Sequence, residues 1–105
     1  LFFLIIGYRS HLRVVGNSME KTVFEGDLII YKKTNPKKLE IGIGDIVIAL
    51  HPKVKDKLII KRIHGIYQDM IDLRGDNLSS TTDSREWGLI KSDLIVGKVE
   101  QIIPK

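Results

Sequence analysis

Leu58-Ile59-Ile60-Lys61-Arg62-Ile63-His64-Gly65-Ile66 is an aliphatic, β-branched run with two cations set in its middle. No segment of the chain sustains a 3.6-residue apolar period, and this run reads as a strand. Alternation then places Lys61 on the face of Ile59 and Ile63, and Arg62 on the face of Leu58 and Ile60. A lysine between two isoleucines either snorkels its ammonium to water or is desolvated. Desolvation lowers a lysine pKa, and a neutral amine can serve as a general base. The strand by itself leaves both readings open.

The same pattern extends outward. Asp27–Lys33 and Asp45–His51 are expected strands, separated by a loop at Thr34–Lys38 and a turn at Gly42–Asp45. Pro52–Lys57 is a polar loop, Met70–Leu73 a short strand, and Gly75–Gly88 a long irregular loop. Leu94–Ile103 closes the chain, with Ile95, Val99 and Ile103 expected on one face. Gly-Asp precedes an aliphatic run twice, at Gly26-Asp27 and at Gly44-Asp45, as repeated turn-into-strand chemistry. Short strands punctuated by turn signals predict an all-β fold, a small barrel or sandwich.

The 105 residues show no composition break, so one domain is expected, and 43% hydrophobic content is enough to build its core. Cysteine is absent, which removes disulfides, thiolate metal sites and cysteine nucleophiles together. His11, His51 and His64 stand far apart without metal-ligand spacing, so no metal and no cofactor are expected, and each reads as a surface or strand histidine. The net charge of +4 gathers at Lys32, Lys33, Lys37 and Lys38, then at Lys53, Lys55 and Lys57. These are solvated loops, or a surface for an anionic membrane. Few aromatics lie among them and no nucleic-acid motif is present, so nucleic acid is not an expected partner. Residues 1–7 read as the remnant of a membrane anchor or as a first strand, because six apolar residues fall short of the roughly 20 that span a bilayer. Residues 8–105 form the domain. The chain is expected to be membrane-associated if an anchor precedes it, and soluble otherwise.

Val14-Val15-Gly16-Asn17-Ser18-Met19-Glu20-Lys21-Thr22 offers a serine just beyond a β-branched pair and a glycine. Such a serine caps a turn or faces a groove as a nucleophile. Loops as long as Gly75–Gly88 inside a small domain usually serve a function. Asp83 in that loop is a candidate partner for Arg62.

Taken in order, Ser18-Met19, Gly26-Asp27, Lys61-Arg62, Gly75-Asp76-Asn77, Asp83-Ser84-Arg85 and Trp87-Gly88 resemble the motif boxes of type I signal peptidases, over about residues 12–100. The resemblance implies a Ser/Lys-dyad endopeptidase on the small all-β fold shared with LexA-type domains. Ser18 would be the nucleophile and Lys61 the base. Thr81, or its neighbour Ser80, would set a hydroxyl near the amine. The Ser18 N–H would donate to the oxyanion, with Gly16 and Asn17 in support. Arg62, Asp83 and Arg85 would form an ionic scaffold, and Gly26, Asp27, Gly75, Asp76 and Asn77 would make motif turns. The partner would be a precursor protein bound as an extended peptide at an edge near Leu12–Gly16, with small residues before the scissile bond.

The family usually carries Pro three residues after the serine, where this chain has Lys21. Only twelve residues separate Arg62 from Gly75, so the large inserted domain of bacterial enzymes is missing, leaving a minimal catalytic core. The run Leu73–Asn77 and the late Ile95–Val99 resemble maturation proteases of nickel-type superoxide dismutase. Two alternatives are a self-cleaving LexA-type repressor domain and a non-catalytic β module that binds anionic surfaces. The first would need a DNA-binding domain and an internal cleavage loop, and neither is visible.

Overall fold

The computed structural model describes residues 9–34, 40–79 and 82–105. Among the described residues the strands are β1 (Arg9–Arg13), β2 (Leu28–Lys33), β3 (Ile46–Leu50), β4 (Leu58–Tyr67), β5 (Met70–Arg74), β6 (Ile90–Lys91) and β7 (Ile95–Ile103), with two short helical turns, α1 (Ser84–Trp87) and a 3-10 turn at Ser92–Leu94. They form one antiparallel seven-stranded sheet, ordered β1-β2-β7-β3-β4-β5-β6, curled into a half-barrel. The fold is all-β, as the sequence predicts. Among the described residues no helix is long and apolar enough to cross a membrane.

Alternation along the central strands builds two apolar clusters. β3 sends Val47 and Ala49 to one cluster, where Ile63, Ile71, Leu73, Ile90 and Ile95 join them. It sends Ile48 to the other, with Val14, Met19, Val23, Ile29 and Tyr31. β3 is thus covered on both faces, which explains why its sequence reads as a continuous apolar run.

Three bulges curl the sheet, at His64 in β4 and at Val96 and Glu100 in β7. The β7 bulges correct one sequence expectation. Ile95, Val99 and Ile103 do not share a face: Ile95 joins the first cluster, Val99 packs on the second, and Ile103 is exposed. An extra residue at Glu100 flips the alternation, so Ile102 turns inward in place of Ile103. Gly97 lies where β7 crosses β2. A Cβ there would stand 2.5 Å from Tyr31 Cδ2 and 2.7 Å from the Lys32 carbonyl oxygen.

The Gly-Asp pairs are the same turn made twice. Gly26 and Gly44 have φ of +90° and +95°. Asp27 Oδ2 accepts from the Phe24 N–H, and Asp45 Oδ2 from the Gly42 N–H, both at 2.8 Å. Each carboxylate caps a turn that launches a strand.

Candidate active site

The loop from Val14 to Asp27 leaves β1 and returns to β2. Its base is closed by Val14 N–H to Asp27 O at 3.0 Å and Gly26 N–H to Val14 O at 2.9 Å. Met19 and Val23 are buried and pin its middle to the core. Met19 O accepts from both Thr22 N–H and Val23 N–H. With Met19 turned inward, the preceding Ser18 is held half-buried at the rim.

The Gly75-Asp76-Asn77 stretch braces this loop from the far side. Asn77 N–H donates to Ser18 O, and Asn77 Nδ2 donates to Asn17 O, both at 2.9 Å. Thr22 Oγ1 donates to Asp76 Oδ2 at 2.6 Å. The three residues expected as a motif turn are therefore a clamp on the serine loop. The Gly16 N–H is directed to Glu25 Oε1 at 3.2 Å. Among the described residues the Ser18 N–H makes no hydrogen bond. Lys21 has φ +78°. A proline ring fixes φ near −65° and cannot follow that path. The loop therefore takes a different course at Lys21 from one with proline there.

Lys61 sits in β4 opposite Val47 and is 4% exposed. It shares the face of Ile59 and Ile63, as alternation predicts. Burial lowers its pKa below the ordinary lysine value; the Asp83 carboxylate opposes this, while Lys57 and Arg85 reinforce it. The net effect is a shift toward the neutral amine.

Arg62, on the opposite face, corrects the expected scaffold. Its partner is Asp76, through Nε to Oδ1 at 3.0 Å and Nη2 to Oδ2 at 2.8 Å, and its Nη1 donates to Gly44 O. Asp83 lies on the Lys61 side of the strand and pairs with Arg85. The reason is register: Arg62 stands opposite Arg74, which brings Asp76, two residues on, beside the guanidinium. Asp83 caps α1 by accepting from Arg85 N–H, and it accepts from Gly75 N–H at 2.9 Å as well. Burial pushes the Asp83 pKa up, but the Arg85 guanidinium and these two N–H groups outweigh it and hold the carboxyl well below the usual range. Ser80 and Thr81 lie outside the described residues.

Ser18 and Lys61 line one cleft of about 430 Å³, together with Leu12, Val14, Gly16, Asn17, Leu58, Thr82 and Trp87. Among the described residues two open strand edges border it. There β1 is the first strand of the sheet and pairs with β2, and β4 pairs with β5 from Arg62 onward, so the ladder partner of Leu58–Lys61 is β3. His51 and Lys57 line the same cleft. From sequence His51 is an ordinary strand or surface residue, and its signal is its position between a strand and the lysine loop.

A curled all-β half-barrel with a serine and a buried lysine on one peptide-sized cleft has the form of a small serine peptidase. The family comparison agrees: the chain belongs to the "Signal peptidase, peptidase S26" family, whose model matches residues 1–80. It is 30% identical over 112 residues to the mitochondrial ATP-independent inner membrane protease subunit 1a of Arabidopsis thaliana, covering 85% of this chain and 67% of that protein. It is 33% identical over 104 residues to the mitochondrial inner membrane protease subunit 1 of Mus musculus, and likewise of Homo sapiens. Those matches cover 80% of this chain and span less than two thirds, 63%, of the mammalian proteins. By family the chain is a serine peptidase of the signal peptidase I kind.

Proposed function

We propose that the chain is an endopeptidase that removes an N-terminal segment from a precursor protein, with Ser18 as nucleophile and Lys61 as general base. The observation that carries this reading is one cleft lined by both residues, with Lys61 buried among aliphatic groups.

The chemistry follows from the groups. Neutral Lys61 takes the Ser18 proton as the alkoxide attacks a peptide carbonyl. The Ser18 N–H stabilises the oxyanion. The lysine ammonium then gives its proton to the leaving amine; Lys61, neutral again, deprotonates a water that attacks the acyl carbon, and returns that proton to Ser18 Oγ as the ester bond breaks. The peptide lies extended between the open edges of β1 and of Leu58–Lys61, and adds to the sheet as a strand.

On the resemblance of Leu73–Asn77 and Ile95–Val99, the substrate we put forward is the precursor of a nickel-type superoxide dismutase. Exposed Lys53, Lys55 and Lys57, with half-exposed Val54 and Leu58 between and beside them, support an anionic membrane surface as a second partner. The test is cleavage of that precursor, and of peptides with small residues before the scissile bond, by wild type and Ser18→Ala. Cleavage retained in Ser18→Ala overturns the assignment of the nucleophile. Cleavage of the peptides but not of the precursor overturns only the substrate.

A further inference from the structure

His51 lies one residue beyond β3, where the 52–57 loop begins. Its N–H donates to Lys57 O at 2.7 Å and closes the base of that loop. Its Nδ1 accepts from two backbone donors, Lys53 N–H at 2.9 Å and Val54 N–H at 3.0 Å. A nitrogen that accepts twice carries no proton, so the ring proton is on Nε2. The surroundings preserve that neutral form. Burial, then the charges of Lys57 and Lys61, lower the pKa of the imidazole.

The ring is also held from the side. It packs on Trp87 with centroids 4.7 Å apart and planes tilted by 57°. Trp87 in turn packs against the first apolar cluster. Nδ1 is committed to the loop, so the far side of the ring, with Nε2–H, is what His51 has left to offer the cleft it lines with Ser18 and Lys61. Among the described residues Nε2–H has no hydrogen-bond partner. A donor of fixed tautomer and fixed orientation in a cleft wall is already set for an acceptor.

We propose that His51 is a substrate-binding residue whose Nε2–H donates to an oxygen acceptor of the extended peptide, with the Trp87 ring as the apolar wall beside it. This rests on the peptidase reading above, which supplies the peptide. An extended peptide carries a carbonyl on every residue. Leu58–Lys61 can pair with only some of these, and a carbonyl buried against the wall with no donor would weaken binding.

Two substitutions separate the two sides of the ring. His51→Asn places an oxygen near the Nδ1 position and keeps the loop cap, but has no donor where Nε2–H stood. His51→Gln restores an N–H near the Nε2 position and gives up the cap. Both are made in Ser18→Ala, so that binding is measured without turnover. The probe is a blocked decapeptide with alanine at the first and third positions before the scissile bond, titrated by calorimetry. The expected result is that His51→Asn binds about 3- to 10-fold more weakly with an unchanged melting temperature. His51→Gln melts lower and keeps more of the affinity. Equal affinity in His51→Asn and its parent overturns the proposal, as does absence of binding in the parent. A fall in both variants that follows melting temperature overturns it too. Cleavage by the protein with Ser18 intact is measured alongside. Binding that His51→Asn weakens, with no cleavage by wild type, sinks the peptidase reading and leaves His51 in place. Cleavage by wild type with equal binding by His51→Asn sinks only His51.

Discussion

Arg62 and Asp76 form a two-pronged ion pair, 2.8 and 3.0 Å long, on the face of β4 opposite Lys61. The same Asp76 oxygen takes the Thr22 hydroxyl at 2.6 Å. One carboxylate therefore ties the strand that carries Lys61 to the loop that carries Ser18. The spacing of the two groups depends on a residue that touches neither.

Asp76→Ala is expected to lower both stability and activity. Arg62 keeps 35% of its side chain in water, which reduces the worth of the pair. The loss should be about 1–3 kcal/mol, the cost of leaving a part-buried donor without its acceptor. Asp76→Asn retains an acceptor for Thr22 and should fall between. Thermal melts and peptide cleavage check this. A variant that melts like wild type but has lost its rate would mean that Asp76 acts on the chemistry directly.

Lys61 gives a prediction in pH. Its pKa is lowered in the folded state, mainly by burial, so the unfolded chain holds the proton to higher pH. Stability therefore rises with pH from the folded pKa up to the ordinary lysine value, and that gain is lost as pH falls. Activity should rise through the same folded pKa. Lys61→Met should fold, remove the alkaline rise in stability and abolish cleavage. Lys61→Arg should be inactive at any workable pH, since guanidinium stays charged. A Lys61→Met protein with most of the wild-type rate would show that the base is another group.

Lys21 holds φ at +78° without being glycine. Lys21→Gly should raise stability by about 1 kcal/mol if relief of that strain exceeds the added freedom of the unfolded chain. Lys21→Pro should destabilise, because its ring cannot reach that angle. Melting temperatures in opposite directions are expected. A Pro variant as stable as wild type would mean that the loop can adopt a second path.

Gly97→Ala meets both a ring and a backbone oxygen. Tyr31 can shift, but the Lys32 carbonyl belongs to the sheet. Overpacking of this kind costs about 1–3 kcal/mol. The variant should unfold at lower denaturant concentration. An unchanged midpoint would show that β2 and β7 can separate there at little cost.

The sequence disclosed β2, β3 and β4 by their long aliphatic runs, the shorter β5 at Met70–Leu73, and the order of the motif boxes. It concealed the extent of β1, placing the edge near Leu12–Gly16, because Arg9-Ser10-His11-Leu12-Arg13 has little apolar pattern to read. It also concealed β6 and α1, which are too short to establish a period. Alternation correctly divided Lys61 from Arg62. It could not pair Arg62, because that depends on the register of β4 with β5 and the bulge at His64. The neighbours of Lys61 left burial and snorkelling both open, and the fold decides for burial. His51 was not legible, since its role needs the turn that bends Lys53 and Val54 back onto its ring.

β5 ends at Arg74, Asp83 opens α1, and the Asp83 carboxylate accepts from both the Gly75 N–H and the Arg85 N–H. One side chain thus joins the end of a strand to the start of a helical turn. Thr82 and Trp87, on either side of that junction, line the cleft, so one carboxylate sets the wall beside Lys61 without entering it.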